Sequence, residues 1–177
     1  MSEFSNPNLE VLISSEEIQQ RIKQLGVEVA RDYAGLNPLL IGVLKGACIF
    51  LSDLMRAAEI PLGLEFMAIS SYGASMRTSG EVRILKDLDV AIEGRHILVV
   101  EDIVDTGLTL TYLQDILRSR GPKSLRTACL LSKPSRRKVP VKVEYIGFTI
   151  EDRFVVGYGL DYAEQYRNLP HIGVIEA

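Results

Sequence analysis

Within nine residues the chain places three carboxylates, two hydroxyls and a glycine: Glu101-Asp102-Ile103-Val104-Asp105-Thr106-Gly107-Leu108-Thr109. Small and hydroxylic residues around a glycine at a helix start let free backbone N–H groups, with the Thr106 and Thr109 hydroxyls, converge on an anion. The positive end of the helix dipole adds to that attraction. Glu101 and Asp102 could accept hydrogen bonds from sugar hydroxyls or hold a hydrated cation, and Asp105 is a third carboxylate close to where a reacting ring would lie. A plainer alternative has Asp105 and Thr106 capping the helix and the other two acids solvated. The residues alone leave both open.

The flanking sequence supplies the elements that must position this stretch. Residues 96–100 form a continuous, β-branched apolar run, the pattern of a strand buried on both faces. Leu110, Leu113, Ile116 and Leu117 then recur at helical spacing until Gly121-Pro122 stops the pattern. Such a strand–loop–helix unit belongs to a parallel α/β sheet, whose ligand crevice lies beyond the carboxyl ends of the strands. Residues 39–44 repeat the theme, running into Lys45-Gly46 and a helix over 47–58. Lys45 taken alone reads as a solvated lysine.

The remaining segments read as scaffold, with exceptions. Residues 9–13 suit a short strand after a loose tail. Ser14 with Glu17 is a capping-box pattern, followed by the apolar stripe Ile18, Ile22, Leu25 and Val29. Residues 64–70 and 81–85 read as strands. Between them, 71–80, opening on Ser71-Tyr72-Gly73, is rich in glycine and serine without apolar periodicity, either filler or a mobile lid. Residues 124–131 form another strand, leading to Ser132-Lys133-Pro134-Ser135-Arg136-Arg137-Lys138. The last three cations read as a solvated surface run, whereas Lys133 sits at a strand end facing the crevice. Residues 145–148 suit the last core strand and 172–175 a final strand; Phe154 and Tyr158, without context, read as core aromatics.

Taken together these motifs resemble a known family. Four apolar residues, two acids, two apolar residues and Asp105-Thr106-Gly107-Leu108-Thr109 resemble the phosphoribosyl-diphosphate signature of type I phosphoribosyltransferases. The narrower resemblance is to the hypoxanthine (guanine) phosphoribosyltransferase family. Leu44-Lys45-Gly46 matches its diphosphate-contacting loop, with Ala47 where a second glycine often follows. Ser71-Tyr72-Gly73 is similar to the start of its catalytic loop, and Phe154-Val155-Val156-Gly157-Tyr158-Gly159-Leu160-Asp161-Tyr162 to its second signature. Leu108 stands where some relatives carry a polar or basic residue.

The resemblance implies an α/β fold of one domain over 1–177: a central parallel sheet flanked by helices, with a small hood from the N-terminal segment and about 150–177. It implies transfer of phosphoribose from 5-phospho-α-D-ribose 1-diphosphate to hypoxanthine or guanine, giving IMP or GMP and diphosphate. Lys45, Gly46, Glu101, Asp102, Asp105, Thr106, Gly107, Leu108, Thr109 and Arg167 would then bind the phosphoribosyl diphosphate. Lys133 would donate to the purine six-oxo group, Phe154 would stack on the ring and the Val155 backbone would meet its edge. Asp161 would ligate Mg²⁺, with Glu101 and Asp102 acting directly or through metal-bound water. Asp105 would be the general base for the purine N7 proton, and Ser71 and Tyr72 would open a lid that shields a reactive sugar cation from water. A homodimer or homotetramer would be usual.

Composition sets the bounds. A chain of 177 residues, 47% of them apolar, suits one domain with a sizeable core. A net charge of −3 and a pI near 5.5 argue against broad nucleic-acid or anionic-membrane binding. No apolar run approaches the ~20 residues of a membrane span, and Met1-Ser2-Glu3-Phe4 lacks a signal-peptide pattern, so a cytoplasmic protein is expected. Cys48 and Cys129 lie in apolar surroundings as buried reduced thiols, and His96 and His171 offer no zinc-ligand spacing. Two alternatives stay open: a nucleotide-sensing regulator on the same fold, and an enzyme preferring xanthine or another base.

Overall fold

In the computed structural model, residues 8–71 and 82–175 are described. Tyr72, read above as opening a lid, and the rest of 72–81 lie outside them, as does the Ser71 side chain. Among the described residues, the order is β1 (Leu9–Ile13), α1 (Ser15–Asp32), β2 (Leu39–Leu44), α2 (Cys48–Ala57), β3 (Gly63–Ser71), β4 (Val82–Lys86), β5 (His96–Val104), α3 (Leu108–Ser119), β6 (Ser124–Ser132), a single 3₁₀ turn (Pro134–Arg136), β7 (Tyr145–Thr149), β8 (Val155–Val156) and β9 (Ile172–Ile175). No helix among them is long and apolar enough to cross a membrane.

The main sheet runs β4-β3-β2-β5-β6-β7, parallel throughout except for the antiparallel edge strand β4. Its inner strands β2, β5 and β6 are largely apolar on both faces because both faces are covered. Leu40, Leu98, Val100 and Leu130 pack with Ile18, Leu25, Phe50 and Leu54 of α1 and α2. The alternate residues Leu39, Ile41, Ile97, Val99 and Cys129 pack with Leu110, Leu113 and Leu117 of α3. Each such buried side chain contributes about 1.5–3 kcal/mol.

Ser14 caps α1 through the expected reciprocal box: its hydroxyl accepts from the Glu17 N–H at 3.2 Å, and the Glu17 carboxylate accepts from the Ser14 N–H at 2.8 Å. Parallel register brings β2, β5 and β6 to the same edge, with Gly42 beside Val100 and Val104 beside Ser132. A second sheet, β1-β9-β8, is antiparallel. Just after β8, the Tyr158 hydroxyl donates to Asp53 of α2, tying this sheet to the helical layer.

Three sequence readings are corrected. The central strand continues past Val100 to Val104, so Glu101 and Asp102 lie within β5 rather than at its end. Cys48, at the start of α2, is half-buried; Cys129 is fully buried, and both are free. Phe154 is 53% exposed and so is no core aromatic, whereas Tyr158 is buried.

Candidate active site

At the carboxyl edge of the sheet lies a cavity of about 630 Å³. Four segments line it: residues 43–46 at the end of β2, Ile69 and Ser70 of β3, residues 101–107 with Thr109 and Leu110 from β5 into α3, and Asp161 and Arg167 from the stretch between β8 and β9. Leu108, Lys133, Phe154 and Val155 are not among its lining residues.

The loop before α3 is built to leave N–H groups free. Gly107 sits at the N-cap with φ +84°, a left-handed backbone that costs glycine little. No side chain caps the helix at Gly107, and its first turn begins where Gly107, Thr109 and Leu110 line the cavity. The nearest approach to a cap is the Leu108 N–H, which donates to Thr106 Oγ1 at 3.3 Å. Leu108 itself is exposed. Asp105 does not cap; it accepts from Arg136 Nε at 3.0 Å.

Glu101 and Asp102 are not solvated. Glu101 is 8% exposed, and burial, followed by the neighbouring Asp102, raises its carboxyl well above the usual range. Burial likewise pushes Asp102 up to about 6, against the pull of the Ile103 N–H and of Arg167. The Ile103 N–H donates to Asp102 Oδ1 at 2.6 Å. A methyl group at Gly46 would stand 1.7 Å from Asp102 Oδ2, so a side chain there would have to push the Asp102 carboxylate aside. The Leu44–Lys45 peptide is cis, and Ala47 takes ordinary right-handed helical angles, so alanine suits a position where glycine is common.

The two cations that line the cavity are held by acids. Lys45 Nζ lies 3.2 Å from Glu164 Oε2. Arg167 pairs with Asp161 at 3.2 Å and Glu164 at 3.6 Å, and donates to the Gly159 carbonyl at 2.8 Å. Its Nε is buried without a partner among the described residues. Asp161 also accepts from the Glu164 N–H at 2.9 Å.

Lys133 is buried beside the cavity, its N–H donating to the Val104 carbonyl and its ammonium 3.6 Å from Asp152. Phe154 meets Tyr162 edge-on at 5.5 Å between centroids, and Val155 pairs with Val174 in the small sheet.

Arg136 is exposed, as its surface reading had it, but its pairing with Asp105 was missed; Arg137, also read as solvated, is not. Arg137 turns inward and donates to the carbonyls of Val104 at 2.8 Å and Asp105 at 2.6 Å, and to Ser132 Oγ at 2.8 Å. It stitches the loop before α3 to the segment bearing Lys133. Glu164 was also missed; its position three residues before Arg167 was the available signal.

Comparison with known proteins agrees with this geometry. The phosphoribosyl transferase domain family matches residues 13–163. The hypoxanthine-guanine phosphoribosyltransferase of Bacillus subtilis is 55% identical over 166 residues, spanning 94% of this chain and 92% of that protein. That of Mycobacterium tuberculosis is 52% identical over 172 residues, spanning 94% and 85%. A crystal structure of the Staphylococcus aureus hypoxanthine phosphoribosyltransferase superposes with a TM-score of 0.95 at 44% identity, covering 99% of this chain and 96% of that one.

Proposed function

The chain belongs to the hypoxanthine-guanine phosphoribosyltransferase family, and from that premise we propose how its own residues carry out purine salvage. The reaction is 5-phospho-α-D-ribose 1-diphosphate plus hypoxanthine or guanine giving IMP or GMP and diphosphate. The observation that carries this reading is the convergence, in one cavity, of an anion-binding helix start, a buried carboxylate pair and the cations Lys45 and Arg167.

Thr106 to Thr109 hold the 5′-phosphate through backbone N–H groups and the two hydroxyls. Glu101 and Asp102 accept from the ribose hydroxyls. Lys45, the Gly46 backbone and Arg167 meet the diphosphate; Arg167 suits it because a guanidinium presents paired donors to phosphate oxygens. Lys133 donates to the six-oxo oxygen, Phe154 offers its exposed face to the ring, and the Val155 backbone meets the ring edge. Asp105 takes the N7 proton. Ser71 and Tyr72 open the lid.

Mg²⁺ suits these donors. Among the described residues no three acids, histidines or cysteines form a protein-only cage, but Mg²⁺ is ordinarily held by one or two carboxylates plus substrate phosphates. The raised Asp102, together with its neighbour Glu101, is a buried oxygen pair that a cation would relieve. Asp161 would hold Mg²⁺, with Glu101 and Asp102 reaching it directly or through water. When bound, the ion supplies charge neutralisation for the departing diphosphate.

The test is diphosphate release with hypoxanthine, guanine, xanthine and adenine. Turnover of hypoxanthine or guanine without adenine is expected. Absence of release with every 6-oxopurine would overturn the reading.

A further inference from the structure

Two residues with no part in the scheme above join its general base to its purine donor. Arg136 Nε donates to Asp105 Oδ1 at 3.0 Å, and the other end of the same guanidinium lies 3.6 Å from Asp152 Oδ2. The second oxygen of Asp152 lies 3.6 Å from Lys133 Nζ. Asp105, Arg136, Asp152 and Lys133 thus form one chain of alternating charge that sums to zero. It links the loop after β5, the 3₁₀ turn after β6 and the segment between β7 and β8.

The main chains of the first two segments are already tied. Arg137 binds the Val104 and Asp105 carbonyls, and the Lys138 N–H donates to the Thr106 carbonyl at 2.9 Å. What is left to fix is the direction of the Asp105 carboxylate, 41% exposed, to which Arg136 is the side chain bonded among the described residues. On a purine, N7 and the six-oxo oxygen sit side by side on one edge. An acceptor for one and a donor for the other must therefore keep a set separation. A planar guanidinium with separated nitrogens can hold two carboxylates in fixed directions, as a lysine ammonium cannot.

We propose that Arg136 and Asp152 are positioning residues, which hold the Asp105 carboxylate and the Lys133 ammonium at the spacing that the N7–oxo edge of a 6-oxopurine requires. The inference rests on the roles given above to Asp105 and Lys133. A purely structural role is a poor account of the same contacts. Asp105, Arg136 and Asp152 are 41–51% exposed, and ion pairs so exposed add little to stability.

The experiment combines Arg136→Gln, Arg136→Lys and Asp152→Asn with steady-state kinetics for both substrates, thermal melting, and Arg136→Gln in an Asp105→Asn background. Arg136→Gln should lower kcat/KM for hypoxanthine about tenfold, below the ~100-fold of a full 1 Å misplacement. KM for phosphoribosyl diphosphate and the melting temperature should hold, Asp152→Asn should act in the same direction, and Arg136→Lys should restore only part of the loss. In the Asp105→Asn enzyme, loss of Arg136 should cost nothing further, because no base remains to be positioned. An Arg136 loss of equal size in both backgrounds, or an unchanged single variant, overturns the inference while a crippled Asp105→Asn enzyme leaves the base assignment standing. A near-normal Asp105→Asn enzyme overturns that assignment, and the inference with it.

Discussion

Gly159→Ala tests how the segment bearing Arg167 is set against the Lys45–Gly46 loop. Gly159 has φ +100°, between Tyr158 at +49° and the Arg167 contacts it makes in both directions. A left-handed backbone costs an alanine about 1–2 kcal/mol. The new Cβ would also stand 2.1 Å from the Gly46 carbonyl oxygen and 3.2 Å from its carbon. Both are main-chain atoms, with no flexible tip to swing aside. An ordinary carbon–oxygen approach is about 3.3–3.6 Å, so the two segments must part by more than an ångström. Overpacking on that scale costs about 1–3 kcal/mol.

The sum, about 2–5 kcal/mol, corresponds to a fall in Tm of about 4–20 °C at about 2–4 °C per kcal/mol for a domain of this size. Gly94→Ala is the control: its φ is +71°, and a methyl group added there would meet nothing within 4 Å, so it carries the backbone cost alone. Calorimetry of the two variants therefore isolates the contact with Gly46. Because relief moves Lys45 and Gly46 away from Arg167, KM for phosphoribosyl diphosphate should rise about tenfold while KM for hypoxanthine changes less. If Gly159→Ala melts no lower than Gly94→Ala and keeps its KM, the two segments do not pack this closely.

Lys133→Met keeps length but removes a group that only donates. It should lower kcat/KM for hypoxanthine and guanine together by about 10–100-fold, the range of one hydrogen bond to a charged group, and retained 6-oxopurine turnover would refute its role. Glu164→Gln frees Lys45 and Arg167 from a carboxylate 3.2 and 3.6 Å away; calorimetric titration with inorganic diphosphate should show binding tightened up to about fivefold, and weaker binding would mean that Glu164 assists the ligand. Tyr145 donates to Asp32 at 2.7 Å, and that bond, followed by Arg31, holds the Asp32 carboxyl below its usual range. A depressed folded-state pKa contributes stability above the unfolded value, about 3.9, and loses it as pH falls through the folded one. Tyr145→Phe should thus cost about 1 kcal/mol at pH 7, with the difference shrinking below about pH 4; a difference independent of pH would remove Asp32 from the account.

Much of the frame was legible because its signals are local. The apolar run 39–44 and the α1 stripe at Ile18, Ile22, Leu25 and Val29 carry their period in the sequence, and the structure keeps those bounds closely. The central strand was cut short for the opposite reason. Glu101 and Asp102 end the apolar run, yet the strand goes on because β6 pairs with it as far as Ser132, and such pairing has no local mark. Arg137 was misread likewise. A cation in a basic run looks the same whether it faces water or turns in. Only the fold brings the Val104 and Asp105 carbonyls within its reach.

The charges lining the cavity pose a problem that these placements answer. Glu101, Asp102, Asp105 and Asp161 face Lys45 and Arg167, four acids to two cations, around a site read as binding a highly anionic substrate. Coulomb attraction to side chains alone would not select that ligand. On the proposed reading, the loop before α3 instead presents neutral backbone donors at a helix start, which attract phosphate without adding a cation. Asp105 is balanced by Arg136, and Asp161 by Arg167. That leaves Glu101 and Asp102, the buried pair whose carboxyls stand above their usual range. Their unmet demand is for hydroxyl donors or a cation, which a ribose ring and a metal-chelated diphosphate bring together. On the proposed reading, the acids select the sugar and its counter-ion and the backbone selects the 5′-phosphate, while Lys45 and Arg167 are left to meet the diphosphate.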